Sequence, residues 1–135
     1  MSNGANLFVY GTLRRGLRNE FAGLLRRSGQ FRGSGKVKGR LYHIANYPGL
    51  VPSADNHRWV RGEVYRLNSP ETILPKLDRY EGCGPSDPPP RAFRRTTLPV
   101  LLDSGEWIEA FTYVYALPVH GKQEIHSGDF LAQRR

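Results

Sequence analysis

The chain has 135 residues and a mass of 15.3 kDa, with hydrophobic residues at 39% and charged residues at 24%. That size and composition predict one folded domain over residues 1–135, large enough for a core and a pocket, and exclude wholesale disorder. No apolar run approaches the ~20 residues of a membrane helix, and the first eleven residues carry no basic region of the signal-peptide kind, so a cytoplasmic protein without a membrane partner is expected. Cys83 is the single cysteine, which excludes an internal disulfide and a multi-cysteine metal site.

Twenty basic residues against twelve acidic give a net charge of +8, and sixteen of the twenty are arginine. Such a field attracts anions, whether nucleic acid, phosphate or a small carboxylate, and does not choose among them. Fifteen glycines and ten prolines predict a turn-rich chain.

The elements follow in order. Asn6 to Tyr10 is short, apolar and β-prone, and ends at Gly11, as a first strand does. Arg18 to Arg27 places Phe21, Leu24 and Leu25 at helical offsets. Lys36 to Ile44 alternates as a second strand, with Val37, Gly39, Leu41 and His43 on one side. Tyr47-Pro48-Gly49 reads as a turn, with proline at one central position and a positive-φ glycine at the next. Trp59 to Leu67 alternates again as a third strand. Ser69-Pro70-Glu71 is a helix start, and that helix is predicted to run to about Tyr80 with Ile73, Leu74 and Leu77 inward. Pro75 is expected to kink or split it, and Gly82 occupies the position of a left-handed C-terminal residue. Cys83 to Arg91, with four prolines, is an exposed loop. Phe93 to Leu102 and Trp107 to Ala116 form a hairpin joined at Asp103-Ser104-Gly105. The tail from Leu117 onward is irregular. The order β-α-β-β-α-β-β, with mostly antiparallel neighbours, predicts an α+β fold: a partly closed, mostly antiparallel β-barrel with short helices to one side.

Two places can carry chemistry. Tyr10-Gly11-Thr12-Leu13 ends a strand and feeds a helix, exposing main-chain N–H groups that suit a carboxylate or an oxyanion. No Gly-Lys-Ser/Thr follows, so it is not a P-loop. Glu81 lies at the carboxyl end of the second helix, where the helix dipole disfavours a carboxylate and raises its pKa toward what an acid/base group near neutrality needs. Asp78, one turn earlier, reads as a partner for Arg79 or another nearby arginine. The four histidines lack metal-ligand spacing, and Cys83 has no local histidine to mark it as a nucleophile. Tyr113 and Tyr115 alternate with Val114 on one strand and read first as a core face, with the lining of a pocket as the alternative.

In combination these segments resemble the γ-glutamylcyclotransferase-like family, which includes the γ-glutamylamine cyclotransferases and the AIG2-like proteins. Val9-Tyr10-Gly11-Thr12-Leu13-Arg14-Arg15-Gly16 with Asn19 is similar to its opening. Tyr47-Pro48-Gly49-Leu50-Val51, Gly62-Glu63-Val64-Tyr65 and Leu77-Asp78-Arg79-Tyr80-Glu81-Gly82 are similar to the signatures that follow. Phe93-Arg94-Arg95 stands at a Tyr-x-Arg segment, and Ser127-Gly128-Asp129-Phe130 at a late Ser-Gly-Asp-aromatic segment. The six fall in order across nearly the whole chain.

The resemblance implies a small mixed β-barrel and a cyclotransferase reaction, in which a γ-glutamyl amine or amide is converted to 5-oxoproline and a free amine. It implies Glu81 as the acid/base residue. Substrate binding is expected from Tyr10, Gly11, Thr12 and Leu13, with Tyr47, Pro48, Gly49, Arg95 and Tyr115 around them. It implies a small-molecule γ-glutamyl substrate, no cofactor, no metal and no nucleic-acid partner. The alternative on the same fold is a non-catalytic protein that binds small carboxylates. Whether the Gly11 loop would hold the oxyanion or the substrate's α-carboxylate stays open.

Overall fold

The structure is a computed structural model that describes residues 5–11, 20–54 and 57–134. Thr12 and Leu13, two of the expected binding residues, lie outside them. Among the described residues six strands, two α-helices and a terminal 3-10 turn follow one another: β1 (Ala5–Val9), α1 (Glu20–Ser28), β2 (Gly29–His43), β3 (Pro48–Pro52), β4 (Trp59–Leu67), α2 (Pro70–Tyr80), β5 (Phe93–Leu102), β6 (Trp107–Tyr115) and the turn Leu131–Arg134.

The sheet runs β3-β2-β4-β1-β6-β5, and a further pairing of β2 with β5 closes five of the strands into a barrel. Every pairing is antiparallel except β1 with β6, where Leu7 and Phe8 align with Phe111 and Thr112. The expected mixed, mostly antiparallel barrel with flanking helices is therefore the observed fold.

The period-2 pattern of the strands sorts side chains between two cores. Phe8, Val37, Leu41, Val60, Val64, Val100 and Val114 point into the barrel and are essentially inaccessible. Leu7, Val9, Tyr65, Leu67 and Tyr113 point outward and meet Leu25 of α1 and Ile73, Leu74 and Leu77 of α2. The strands under the helices are thus apolar on both faces, and only the far wall alternates with solvent-facing residues.

Three expectations about local structure need correction. The second strand starts at Gly29, seven residues earlier than the alternation suggests, because a bulge at Phe31/Gly33, with Gly33 at φ +135°, breaks the pattern while the pairing to β4 continues. Tyr47-Pro48-Gly49 is not the turn. The bend lies at residues 45–47, closed by the Ile44 N–H to the Tyr47 carbonyl at 3.1 Å, and Pro48 opens β3. Proline is tolerated as the first residue of an edge strand because it owes the ladder no donor there. Gly49 has no positive φ; its need for glycine is space, since a Cβ would stand 2.9 Å from Tyr115 Cβ. Finally, α2 passes through Pro75 without being split. The carbonyl that loses its donor is that of Glu71, in the exposed first turn where water replaces it.

The end of α2 obeys the sequence closely. Gly82 has φ +76°, its N–H reaches the Arg79 carbonyl at 3.2 Å, and the Cys83 N–H reaches the Asp78 carbonyl at 2.9 Å. These two bonds make a Schellman motif, with Glu81 as the C-cap residue.

Candidate active site

A cavity of about 440 Å³ opens where the carboxyl ends of β1 and α2 come together. Tyr10 and Gly11 form one side, and Tyr80, Glu81 and Gly82 the other; Asn46, Tyr47 and Pro48 from the β2–β3 bend, Phe93 from β5 and Tyr113 from β6 complete the wall. Two stretches seventy residues apart in sequence, the end of the first strand and the end of the second helix, share one pocket.

Glu81 owes its position to the Schellman turn, which stops the helix and leaves the carboxyl beside the cavity. Burial pushes this carboxyl up to about 7. The cause is removal of the carboxyl from water rather than the helix dipole. A carboxyl of this kind is divided between its two protonation states near neutral pH.

Tyr10 is held differently. Its buried hydroxyl donates to the Tyr113 carbonyl at 2.5 Å and accepts the Leu50 N–H at 3.1 Å, so it ties β3 to β6 beneath the pocket. Burial and the charge of Glu81 push the phenol far above its ordinary range, and it stays protonated. With both hydroxyl bonds made to the main chain, Tyr10 offers the cavity its ring. Gly11 follows immediately, against Pro48.

Arg95 and Asp78 meet. The guanidinium donates from Nε to Asp78 Oδ1 at 2.9 Å and from Nη2 to Oδ2 at 3.1 Å, and the Tyr113 hydroxyl donates to Oδ1 at 2.6 Å. The arginine partner of Asp78 is thus Arg95 of the neighbouring β5 rather than Arg79. This pairing raises Arg95 further above its ordinary pKa. Burial together with the Asp78 bond drives Tyr113 well above the normal phenol range.

Of the residues expected to bind substrate, Tyr10, Gly11, Tyr47 and Pro48 line the cavity with Glu81, while Gly49, Arg95 and Tyr115 do not. Gly49 and Tyr115 pack against one another behind it, and Tyr115 meets Phe93 edge to face at 5.4 Å. Asn46 and Tyr80 are wall residues that the sequence did not single out for that role, and Tyr113 takes the pocket-lining place that was the alternative to a core role. For Tyr113 the signal lay in its being two residues before Tyr115 on the same face; for Asn46 there was none. Cys83 sits just beyond, and burial, then the charges of Asp78 and Glu81, push its thiol up to about 11, so it is neutral at physiological pH. Among the described residues no three His, Cys, Asp or Glu side chains are grouped to hold a metal ion. Among them, too, no helix is long and apolar enough to cross a membrane.

The sequence profile described as Gamma-glutamyl cyclotransferase, AIG2-like matches residues 7–132. The chain belongs to this family. Within the cyclotransferase family it is similar to the Gamma-glutamylcyclotransferase family protein YtfP of Escherichia coli K12, 32% identical over 126 residues that cover 93% of this chain and 95% of that one. Gamma-glutamylaminecyclotransferase of Rattus norvegicus is 29% identical over 126 residues, covering 81% and 76%. A crystal structure of an AIG2-like protein from Mus musculus superposes with a TM-score of 0.66 at 32% identity, over 85% of this chain and 79% of that one. The profile's span takes in β1 through the late Ser127-Gly128-Asp129-Phe130 segment, whose glycine packs its main chain onto β4, the Arg61 N–H reaching the Gly128 carbonyl at 2.8 Å.

Proposed function

We propose that this protein converts a γ-glutamyl amine or amide to 5-oxoproline and a free amine, with Glu81 as the single acid/base group. The observation that carries the reading is a carboxyl at about 7, walled into a cavity that Tyr10 and Gly11 also line.

The chemistry asks for little more. The substrate's α-amine arrives as an ammonium, and the Glu81 carboxylate takes one proton from it. The free amine attacks the γ-carbonyl carbon of the same molecule, and the new C–N bond closes a five-membered ring. Nucleophile and electrophile are tethered, so the cavity has only to fold the substrate and exclude water. Main-chain N–H groups at the Gly11 side suit the negative oxygen that develops on the carbonyl. The bond to the leaving nitrogen then breaks as the Glu81 carboxylic acid returns its proton there; the ring nitrogen, which still carries a second proton after bonding, gives it up to the regenerated Glu81 carboxylate, which passes it to the departing amine, so that 5-oxoproline leaves as a neutral lactam and the amine as an ammonium. A group whose pKa lies close to the working pH serves each of these transfers. The ring of Phe93 and the phenols of Tyr47 and Tyr113 supply apolar wall for the substrate's methylene groups.

The test is Glu81→Gln, assayed for 5-oxoproline over a panel of γ-glutamyl amino acids and γ-glutamyl amines. Turnover by the wild-type chain that falls about 10²- to 10⁴-fold in the folded variant is expected for loss of an acid/base group. Undiminished turnover removes Glu81 from the chemistry. A wild-type chain that binds 5-oxoproline yet turns over no member of the panel is instead a carboxylate-binding protein on this fold.

A further inference from the structure

The contacts that hold the end of α2 fall into two kinds. Ile73, Leu74 and Leu77 press against the barrel through apolar surface, which is non-directional and resists neither a small slide nor a small rotation of the helix. Asp78 is different. Its side chain receives both arms of the Arg95 fork from β5 and the Tyr113 hydroxyl from β6, three bonds of 2.9, 3.1 and 2.6 Å. Its carbonyl accepts the Cys83 N–H of the Schellman turn at 2.9 Å. One residue therefore joins the last turn of the helix, in defined geometry, both to the hairpin and to the turn that carries Glu81. Arg95 is braced in turn over the Phe111 ring, 5.0 Å from its centroid.

We infer that Asp78 is the positioning residue of this site: clamped by Arg95 and Tyr113, it fixes the axial and rotational setting of α2 on the barrel, and thereby the place of the Glu81 carboxyl in the cavity. Arg95 on this view serves the reaction from outside the pocket. The inference rests on Glu81 being the acid/base group, and a displacement of about 1 Å of such a group costs on the order of 10²-fold in rate. Among the described residues, the titratable groups that line the cavity with Glu81 are Tyr10 just past β1, Tyr47 of the β2–β3 bend, Tyr113 of β6 and Tyr80 of its own helix; Asp78 precedes it on that helix, Cys83 follows on the turn, and Arg95 of β5 stands beyond Asp78.

The experiment uses the full chain carrying Asp78→Asn together with Arg95→Met, which removes both charges and the fork at once, and Arg95→Lys, which keeps the charge but not the fork. Folding is checked by circular dichroism and thermal melting. Steady-state 5-oxoproline formation gives kcat and KM, and carbon-13 NMR of the glutamate carboxyls gives the Glu81 titration. In the double variant kcat is expected to fall roughly 10- to 100-fold with KM changed less than about 3-fold, and Glu81 to titrate toward the ordinary carboxylate range as it leaves the cavity. Arg95→Lys is expected to lie between it and wild type. A rise in KM at constant kcat makes Arg95 a substrate contact and overturns the inference, as does a Glu81 titration identical to wild type in the folded double variant. If the double variant does not fold, Arg95→Lys decides by the same two readouts. Should the wild-type chain form no 5-oxoproline, the proposed reaction fails while the Glu81 titration still judges the clamp.

Discussion

Gly11 lies against the ring of Pro48, so closely that a Cβ at position 11 would stand 2.9 Å from the proline Cγ and 3.0 Å from Cδ. The two residues come from segments that sequence inspection sets apart, one ending the first strand and one opening the third. Their contact is what brings the β2–β3 bend over the pocket. Gly11→Ala is therefore expected to push Pro48 and Tyr47 outward. The cost is about 1–3 kcal/mol of stability, typical of overpacking, measurable by denaturant unfolding, with a raised KM for any substrate that touches the bend.

Tyr10 supplies the second prediction. Its hydroxyl satisfies both the Leu50 N–H and the Tyr113 carbonyl in the interior. Tyr10→Phe keeps the ring and leaves the Leu50 donor buried without a partner, a loss of roughly 1–3 kcal/mol. The melting temperature is expected to fall by roughly 5–10 °C, with the cavity wall preserved. An unchanged melting temperature would show that the bridge contributes nothing.

The Glu81 carboxyl makes two opposite statements about pH. In the proposed role of base it has to be ionised, so kcat/KM is expected to fall about tenfold per unit below pH 7, checked by a pH–rate profile. As a folded-state group its pKa is raised from 4.5 to about 7, so the folded protein binds this proton more tightly than the unfolded chain does. Its contribution to stability is fully present below pH 4.5 and is lost as pH rises through 7. Glu81→Gln, which cannot ionise, is expected to be the more stable protein at pH 8 by ~1–3 kcal/mol and to match wild type near pH 4. Unfolding curves at the two pH values check it, and equal gains at both would rule out ionisation as the cause.

Gly128 gives the fourth. It holds φ +70°, and a Cβ there would run into the Trp59 carbonyl. Gly128→Ala combines backbone strain with a clash against main chain that cannot give way. A loss of about 3 kcal/mol or more is expected by thermal or denaturant unfolding, with loss of the tail's seat on β4.

What could be read in the sequence follows the range of the interactions involved. The second helix was legible to within a residue at both ends, because Ser69-Pro70-Glu71 and Gly82 act locally. The barrel walls were legible through Val37, Leu41, Val60 and Val64, because alternation records a buried face directly. β3 was missed because Pro48 and Gly49 are turn residues by every local rule. They sit in a strand here for reasons found only in space: an edge that needs no donor, and a Tyr115 side chain that leaves no room for a Cβ. The site divides the same way. Glu81 and Tyr10-Gly11 carry local signals, a helix end and a strand end. The pairing of Asp78 with Arg95 joins α2 to β5 across seventeen positions, and nothing in either segment announces it. The sequence could name an arginine as the partner but not which one.

The closure of the barrel has a further consequence. β5 meets β2 through only two aligned pairs, Gly35 with Leu102 and Lys36 with Leu101, against nine between β5 and β6. The parallel β1–β6 junction is as short, with two pairs, but its Leu7 shares an apolar cluster with Ile73 and Leu74 of α2, a cover that β2–β5 does not have; opening of the cylinder is therefore expected to start at β2–β5, where amide hydrogens exchange with deuterated solvent sooner than those at the β5–β6 pairing. Phe93, which faces the cavity, lies at the other end of the same strand, roughly 27–30 Å away along an extended backbone. The cylinder can breathe at its seam while the pocket remains shut.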